Sequence, residues 1–111
     1  MMSDWPRRGE VWLVTMPDET KRRPCVMLSA NWLNQHALDV TVVPVTSVAR
    51  EEFPTRVRLS AGEGGLRLES WAKCDQVTTV NKARLVGRPL GHLGRDRLHE
   101  MAAAVRLALE L

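Results

Sequence analysis

The stretch from residue 39 to residue 46, Asp-Val-Thr-Val-Val-Pro-Val-Thr, is rich in β-branched residues and predicts a strand. Pro44 interrupts the run, and proline has no backbone N–H to donate to a neighbouring strand. We therefore expect an edge position or a β-bulge at Pro44. Two hydroxyl side chains, Thr46 and Ser47, end the strand, so the stretch that predicts a sheet also presents polar groups at its end.

Further strand-forming segments flank this stretch, and one helix follows them. The other predicted strands cover residues 10–16, 24–29, 55–60, 68–77 and 83–87. A short helical turn capped by Asn31 is predicted before the central stretch. Apolar residues recur at helical spacing near the end of the chain, at Leu98, Met101, Ala102, Val105 and Leu109, after a candidate cap at Gly94. Five or six short strands and a C-terminal helix predict a mainly β fold, a small barrel.

The composition of the chain is that of an ordinary globular domain of 111 residues. Hydrophobic residues make up 44% and charged residues 26%, which argues against a disordered chain. No apolar run approaches the roughly 18 residues that span a bilayer, and the first ten residues lack the apolar core of a signal peptide. We expect residues 1–111 to form a single cytoplasmic domain without membrane contact.

Charge, cysteine and histidine content exclude several classes of protein. Sixteen Lys and Arg against thirteen Asp and Glu give a net charge of +3, which permits an anionic partner without requiring one. Cys25 and Cys74 are too few for a disulfide scaffold or a four-cysteine zinc site, and we expect two small buried thiols. The three histidines lack zinc-ligand spacing, and no P-loop, metalloprotease or serine-hydrolase motif is present. We therefore expect neither a metal nor a cofactor.

The clearest basic cluster is Lys21-Arg22-Arg23, directly before an apolar run. Pro24 disfavours a helical conformation at Arg23 and so holds this arginine extended at a strand entrance. A guanidinium presented in this way suits phosphate, because its planar fork donates two hydrogen bonds at once. The alternative is an arginine solvated in a loop, and the segment alone does not decide between them.

Two further segments carry polar groups with open roles. Thr46 and Ser47 either present hydroxyls at a site or cap the turn after their strand. In the run 69–77, strand alternation places Gln76 on the same face as the small residues at positions 70, 72 and 74. That face is mostly apolar, so we expect Gln76 on a buried side in need of a partner, with a structural amide as the alternative.

In order and spacing these segments resemble the MazF/PemK family of toxin endoribonucleases, from Arg8 to about Leu111. Six motifs carry the resemblance: Arg8-Gly9-Glu10-Val11-Trp12, Arg23-Pro24 followed by Ser29, Val43-Pro44-Val45-Thr46-Ser47, Pro54-Thr55-Arg56-Val57, Asp75-Gln76-Val77 continuing through Thr79-Val80-Asn81-Lys82 and Arg84-Leu85, and Leu90-Gly91-His92-Leu93. Each motif is unspecific alone, but the six in register are specific.

The resemblance implies the fold, activity and partners of that family. The fold would be an SH3-like, MazF/CcdB-like small β-barrel with a C-terminal helix, assembled as a homodimer. The activity would be that of a type II toxin, a metal-independent endoribonuclease that cleaves single-stranded RNA at short sequence motifs and so inhibits translation. The partner would be a cognate MazE-like antitoxin whose C-terminal tail lies over the RNA groove.

The resemblance also implies Arg23 and Thr46 as the catalytic pair and Gln76 as a substrate contact. RNA carries its own nucleophile, the 2′-hydroxyl, so the enzyme mainly has to align it and stabilise charge on the phosphorane oxygens. Arg23 is a poor base and is assigned to that stabilisation, with proton donation to the leaving 5′-oxygen as a second role. The general base is open: Glu19 and Asp18 are candidates, and solvated loop acids are the alternative.

Single-stranded RNA also requires positive charge and surfaces on which bases stack. The candidate contacts are Lys21, Arg22, Ser47, Lys82 and Arg84. Trp12, Trp32 and Trp71 are candidates for stacking, with core packing as the alternative.

Two features depart from the family pattern, a short connection before Arg23 and Thr78 where many relatives have a basic residue. Two other functions stay open beside the endoribonuclease. One is a non-catalytic RNA- or peptide-binding barrel, and the other is a CcdB-like gyrase poison. The ending Ala-Leu-Glu-Leu has no Trp, which counts against the poison.

Overall fold

The predicted strand at 39–46 is the centre of the sheet in the computed structural model, which describes residues 5–17, 20–49 and 53–111. The strands are β1 (Glu10–Thr15), β2 (Arg22–Met27), β3 (Asp39–Thr46), β4 (Arg56–Leu59), β5 (Ser70–Lys73), β6 (Thr78–Asn81) and β7 (Leu85–His92). The helices are α1 (Asn31–His36) and α2 (Arg95–Leu109), with 3₁₀ turns at Glu63–Gly65 and Lys82–Arg84. The prediction of a mainly β fold with a C-terminal helix is confirmed.

The pairing is antiparallel and follows the order β4-β5-β3-β2-β1-β7, with β6 also paired to β3. Within the described residues β4 and β7, the two ends of this path, are not paired with each other. β3 therefore pairs with β2, β5 and β6 at the centre of the sheet, and the sheet does not close into a barrel within the described residues. In the same parts of the chain, no helix is long and apolar enough to cross a membrane.

The sequence predicted an edge position or a β-bulge at Pro44. The edge position is wrong because β3 is a central strand, but the pairing on one side of β3 does change register at Pro44. Pro44 stands opposite Cys25 of β2. On the other side of β3, β6 pairs as far as Val42 and β5 begins at Val45. Pro44 therefore occupies the gap between two partners, where a proline is tolerated because that side has no neighbouring strand to receive its N–H.

The predicted strand at 68–77 is two strands separated by a turn. β5 ends at Lys73, and the Gln76 N–H donates to the Lys73 carbonyl at 2.9 Å. β5 and β6 both run antiparallel to β3, so this turn does not reverse the chain but shifts its register along β3. The strand predicted at 83–87 begins at Leu85 and continues to His92. The apolar Cys74 and Val77 stand on either side of Asp75 and Gln76 in this turn, so the run reads as one continuous strand in the sequence.

Two apolar clusters occupy the two faces of the sheet. One contains Val43, Val45 and Leu59 together with Met101 and Val105 of α2. The other cluster comprises Val14, Cys25, Met27, Val40, Val42 and Val80. Strand alternation explains this division, because successive residues of β3 point to opposite faces. Cys25 and Cys74 are buried, as predicted, and neither is disulfide-bonded within the described residues. Burial raises the pKa of Cys74 to about 12.

A close contact between backbones joins the turn at Glu63–Gly65 to β7. Gly65 has φ +77°, and a Cβ on it would lie 2.1 Å from the Leu90 carbonyl oxygen. A Cβ on Gly91 would lie 2.7 Å from the Gly64 carbonyl carbon. Only glycine permits this approach, which fixes the segment after the turn against the end of β7.

Replacing Gly91 with alanine should lower the free energy of unfolding by about 1–3 kcal/mol, because the added methyl group meets backbone rather than a flexible side chain. Urea denaturation followed by circular dichroism measures the loss. The matched control is Gly94→Ser before α2, where an added Cβ has no atom within 4 Å and the hydroxyl can cap the helix. Equal losses in the two variants would contradict the packing argument.

Candidate active site

The register between β2 and β3 brings the two predicted catalytic residues together. Cys25 stands opposite Pro44 and Val26 opposite Val43. Continuing this antiparallel register by two residues places Arg23 opposite Thr46. Directly opposite residues share a face, with Cβ atoms about 4.5–5.5 Å apart. The Cβ atoms of Arg23 and Thr46 are therefore expected to be neighbours where β2 begins and β3 ends, and both side chains line the same groove.

A groove of about 770 Å³ opens at this end of the sheet. Its lining comes mainly from residues 21–24, 45–48 and 65–68. Four basic residues, Lys21, Arg22, Arg23 and Arg67, line it, and none of the described lining residues is acidic. The positive charge of this described lining attracts phosphate.

Thr46 both caps its turn and keeps a hydrogen to donate. Its Oγ1 accepts from the Val48 N–H at 3.1 Å, the capping contact considered from the sequence. An accepting hydroxyl still has its own O–H, so this contact orients the oxygen without using the proton. Thr46 and Arg23 are both partly buried, whereas Lys21, Arg22 and Ser47 are exposed along the groove.

Three predicted contacts lie outside the groove lining. Gln76 is exposed in the turn after β5, so the expectation of a buried amide is wrong: the strand ends before Gln76 and alternation no longer applies. The Lys82 ammonium lies 3.4 Å from the Gln35 carbonyl oxygen. The Arg84 guanidinium donates to the Thr15 carbonyl at 3.3 Å. The candidate bases Glu19 and Asp18 lie outside the described residues.

The three tryptophans considered for stacking have different environments. The Trp12 indole donates to Glu10 at 3.1 Å and packs against the cluster around Met27. Trp32 is 70% exposed on α1. Trp71 is partly buried in β5, opposite Thr46.

Ser29, which follows the apolar run of β2, has a structural role. Its hydroxyl donates to the Asn34 side-chain oxygen and accepts from the Thr41 N–H at 3.0 Å. The Asn34 amide donates back to the Ser29 carbonyl at 2.9 Å, and Asn34 is fully buried. These bonds join β2, α1 and β3 and support the register that aligns the site.

Arg67 is the groove residue that sequence reasoning missed. It is exposed in the segment after the glycine turn, and the available signal was a basic residue two positions after the Gly64-Gly65 pair. That turn is tied to α2, because Arg97 donates twice to the Glu63 carboxylate, at 2.9 and 2.8 Å. The ion pair holds the pKa of Glu63 below its usual value. The wall that carries Arg67 is thus anchored to both β7 and α2.

Asp75 joins two motifs of the sequence. It accepts from Arg56 Nε at 2.9 Å and from the Thr55 hydroxyl at 3.2 Å. The hydrogen bond from Arg56 holds the pKa of the Asp75 carboxyl below its usual value. This contact fixes the turn after β5 to the start of β4.

The described residues contain no group of three or more His, Cys, Asp or Glu that is placed to hold a metal ion.

Asp75→Asn should cost about 0.5–1 kcal/mol of stability at pH 7, because the carboxylate is partly exposed and solvent screens the pair. A lowered folded-state pKa contributes stability above the unfolded pKa of about 3.9, and this contribution is lost as pH falls through the folded value. The variant should therefore show a weaker loss of stability below about pH 4, measured by urea denaturation across pH. Arg56→Met supplies the double-mutant cycle, and additive effects would contradict the pairing.

Comparison with known proteins agrees with this architecture along almost the whole chain. The model of the PemK-like, MazF-like toxins of type II toxin-antitoxin systems matches residues 7–109. Endoribonuclease MazF9 of Mycobacterium tuberculosis (strain ATCC 25618 / H37Rv) is 33% identical over 115 residues, covering 95% of this chain and 97% of its own. The solved Mycobacterium tuberculosis toxin MazF-mt6 has a TM-score of 0.81 at 28% identity, covering 92% of this chain and 97% of its own.

A mycobacterial endoribonuclease solved in complex with its cognate antitoxin has a TM-score of 0.81 at 27% identity, with 96% of each chain covered. The sequence and structural matches span the groove, the sheet and α2 alike. The chain belongs to the PemK-like, MazF-like family of toxins of type II toxin-antitoxin systems.

Proposed function

We propose that this MazF-type endoribonuclease binds single-stranded RNA in the basic groove and cleaves it at Arg23 and Thr46, inhibiting translation. One observation carries the proposal: the β2–β3 register places these two residues side by side at a groove lined by four basic and, among the described residues, no acidic side chains. Family membership supports the reaction class.

The reaction uses the nucleophile that RNA supplies. The 2′-oxygen attacks the adjacent phosphorus, its proton is removed, and the bond from phosphorus to the 5′-oxygen breaks, which leaves a 5′-hydroxyl end. Arg23 donates hydrogen bonds to the phosphorane oxygens as their charge increases, and its second role is to give the leaving 5′-oxygen the proton that completes the 5′-hydroxyl. The Thr46 hydroxyl, oriented by Val48, lies beside them to donate or relay a proton. No step needs a metal ion, since the nucleophile is already held next to phosphorus.

The remaining groups are assigned by their position relative to the groove. Lys21, Arg22 and Ser47 line it and are proposed to bind the RNA backbone on either side of the cut. Gln76, Lys82 and Arg84 lie outside its lining, and we propose them only for nucleotides that continue beyond it. Glu19 is proposed as the base that removes the 2′-proton, with Asp18 as the second choice.

Arg23→Ala should reduce RNA cleavage in EDTA about 100- to 1,000-fold, because it removes the principal stabiliser of the phosphorane charge. The assay incubates purified protein with a long single-stranded RNA and maps the cut sites and the 5′ ends. The matched control is Arg106→Ala on the exposed side of α2, which should cut like wild type.

Equal cutting by the Arg23 and Arg106 variants would refute the assignment of Arg23. Binding of RNA without cutting by the wild-type protein would favour the alternative of a non-catalytic binding barrel. Thr46→Val tests the second residue in the same assay, because it keeps the shape of the side chain and removes the hydroxyl.

We further propose that residues 1–111 act as one toxin domain in the cytoplasm, where free thiols such as Cys25 and Cys74 stay reduced. A MazE-like antitoxin is the proposed inhibitor. Val48 and Leu68 line the groove although they are 59% and 64% exposed, so a partner that covers the groove gains apolar contact as well as charge pairing. The solved relative in complex with its cognate antitoxin supports this partner.

A homodimer is proposed because α2 ends in exposed leucines. Leu107, Leu109 and Leu111 are 59%, 54% and 80% exposed, which is costly for a free monomer surface. Light scattering after size-exclusion chromatography should give twice the mass of one chain. A single-chain mass at micromolar concentration would overturn the dimer, and Leu107→Glu should shift the equilibrium towards that mass.

A further inference from the structure

Trp71 occupies the position next to the catalytic pair. In the pairing of β5 with β3 it stands directly opposite Thr46, and in the pairing of β5 with β4 it stands opposite Arg58. Because directly opposite residues share a face, Arg23, Thr46, Trp71 and Arg58 form a row across four strands. The Cβ atoms of Trp71 and Thr46 are therefore about 5 Å apart. Trp71 is not itself among the residues that line the groove, so it borders the groove beside Thr46, closer to the cut than Gln76, Lys82 or Arg84.

The indole is not part of the apolar core. Val45 and Ala72, which precede Thr46 and follow Trp71 in the chain, point to the other face of the sheet. Both are buried, with exposed fractions of 2% and 0%. Among the described residues, neither apolar cluster includes Trp71, whereas Trp12 packs against one of them. In those same parts of the chain the Trp71 N–H has no hydrogen-bond partner. Trp71 thus lies partly exposed on the face that carries the catalytic pair.

Cations flank this indole on its own face. Arg58 is next to it on β4, and Lys73 is two residues further along β5. Arg58 donates to the Glu69 carboxylate at 2.6 Å, but its side chain is still 66% exposed. Glu69, two residues before Trp71, pairs with Arg58 and offsets part of this charge, so the indole ring itself is the main feature of the patch. Proteins that bind single-stranded nucleic acids stack bases on aromatic rings of this kind.

We propose that Trp71 stacks on the base of one of the two nucleotides joined by the scissile phosphate, and that it thereby helps to select the cleavage sequence. The proposal rests on the RNA-cleaving function of the groove and adds a specificity-determining residue to it. Stacking holds a flanking base beside Thr46, which positions the adjoining phosphate at Arg23. Because the indole is large, we expect it to bind more tightly those bases whose rings overlap most of its surface.

The test uses variants that separate stacking from bulk. Trp71→Ala should bind about 5- to 150-fold more weakly to a 2′-O-methylated oligonucleotide that carries the mapped cleavage sequence and resists cutting. Trp71→Leu keeps apolar volume without an aromatic face and should bind weakly too. Trp71→Phe should retain most of the affinity. Trp32→Ala tests the other exposed indole that the sequence offered for stacking, on α1. We expect it to bind like wild type, and a loss of affinity in Trp32→Ala with none in Trp71→Ala would overturn the assignment to Trp71.

Tryptophan fluorescence supplies a readout that a purely structural role would not change. Titration with the same oligonucleotide should quench wild type and Trp32→Phe, and the quenching should largely disappear in Trp71→Phe. Cleavage maps of Trp71→Leu should lose base preference at one position beside the cut and keep it elsewhere.

The outcomes distinguish this inference from the proposed function. Quenching that persists in Trp71→Phe, or unchanged affinity and base preference in Trp71→Leu, overturns the stacking role while the endoribonuclease stands. Absence of any cutting by the wild-type protein, with RNA binding intact, overturns the proposed function itself. Circular dichroism of each variant identifies any that fail to fold, in which case Trp71→Phe still decides the quenching test.

Discussion

The pairing of β2 with β3 is the constraint on which the other features of the molecule depend. A slip of one residue would move every side chain of a strand to the opposite face, so that Arg23 and Thr46 would no longer share one. Two devices hold the register. Val26 and Val43 pair on the face that packs against α2, and the buried contacts of Ser29 with Asn34 and Thr41 fix the far end of β2. The geometry of the proposed catalytic pair is thus a consequence of core packing and buried hydrogen bonds.

The second wall of the groove depends on a different kind of contact. Glycine backbones allow the turn at Glu63–Gly65 to touch β7, and the Arg97–Glu63 ion pair ties the same turn to α2. The exposed Arg67 and Leu68 are thereby held by rigid neighbours. One wall of the groove is formed by the ends of β2 and β3, and the other is held against β7 and α2. Because both walls are fixed before a ligand binds, less conformational entropy is lost on binding.

The local sequence predicted much of the site because some constraints act within a few residues. Pro24 makes Arg23 extended, and the succession of Thr46 and Ser47 at a strand end is visible directly. Prediction from the local sequence failed for residues whose position depends on contacts with distant parts of the chain. Gln76 was assigned to a buried face by alternation, yet a turn hydrogen bond to Lys73 ends the strand first. Arg67 gave no periodic signal, because its place in the groove comes from the contact of its segment with β7.

The sequence by itself determined the strands around the β-branched runs, the C-terminal helix, the extended arginine and the family motifs, since each follows from local conformational preference or from residue order. The tertiary structure alone decided that Pro44 lies in the gap between β6 and β5 and that Lys82 and Arg84 contact backbone away from the groove. It also decided that Trp71 stands beside Thr46. The physical reason is that these placements are set by strand register, which depends on how both faces of the sheet bury their apolar side chains.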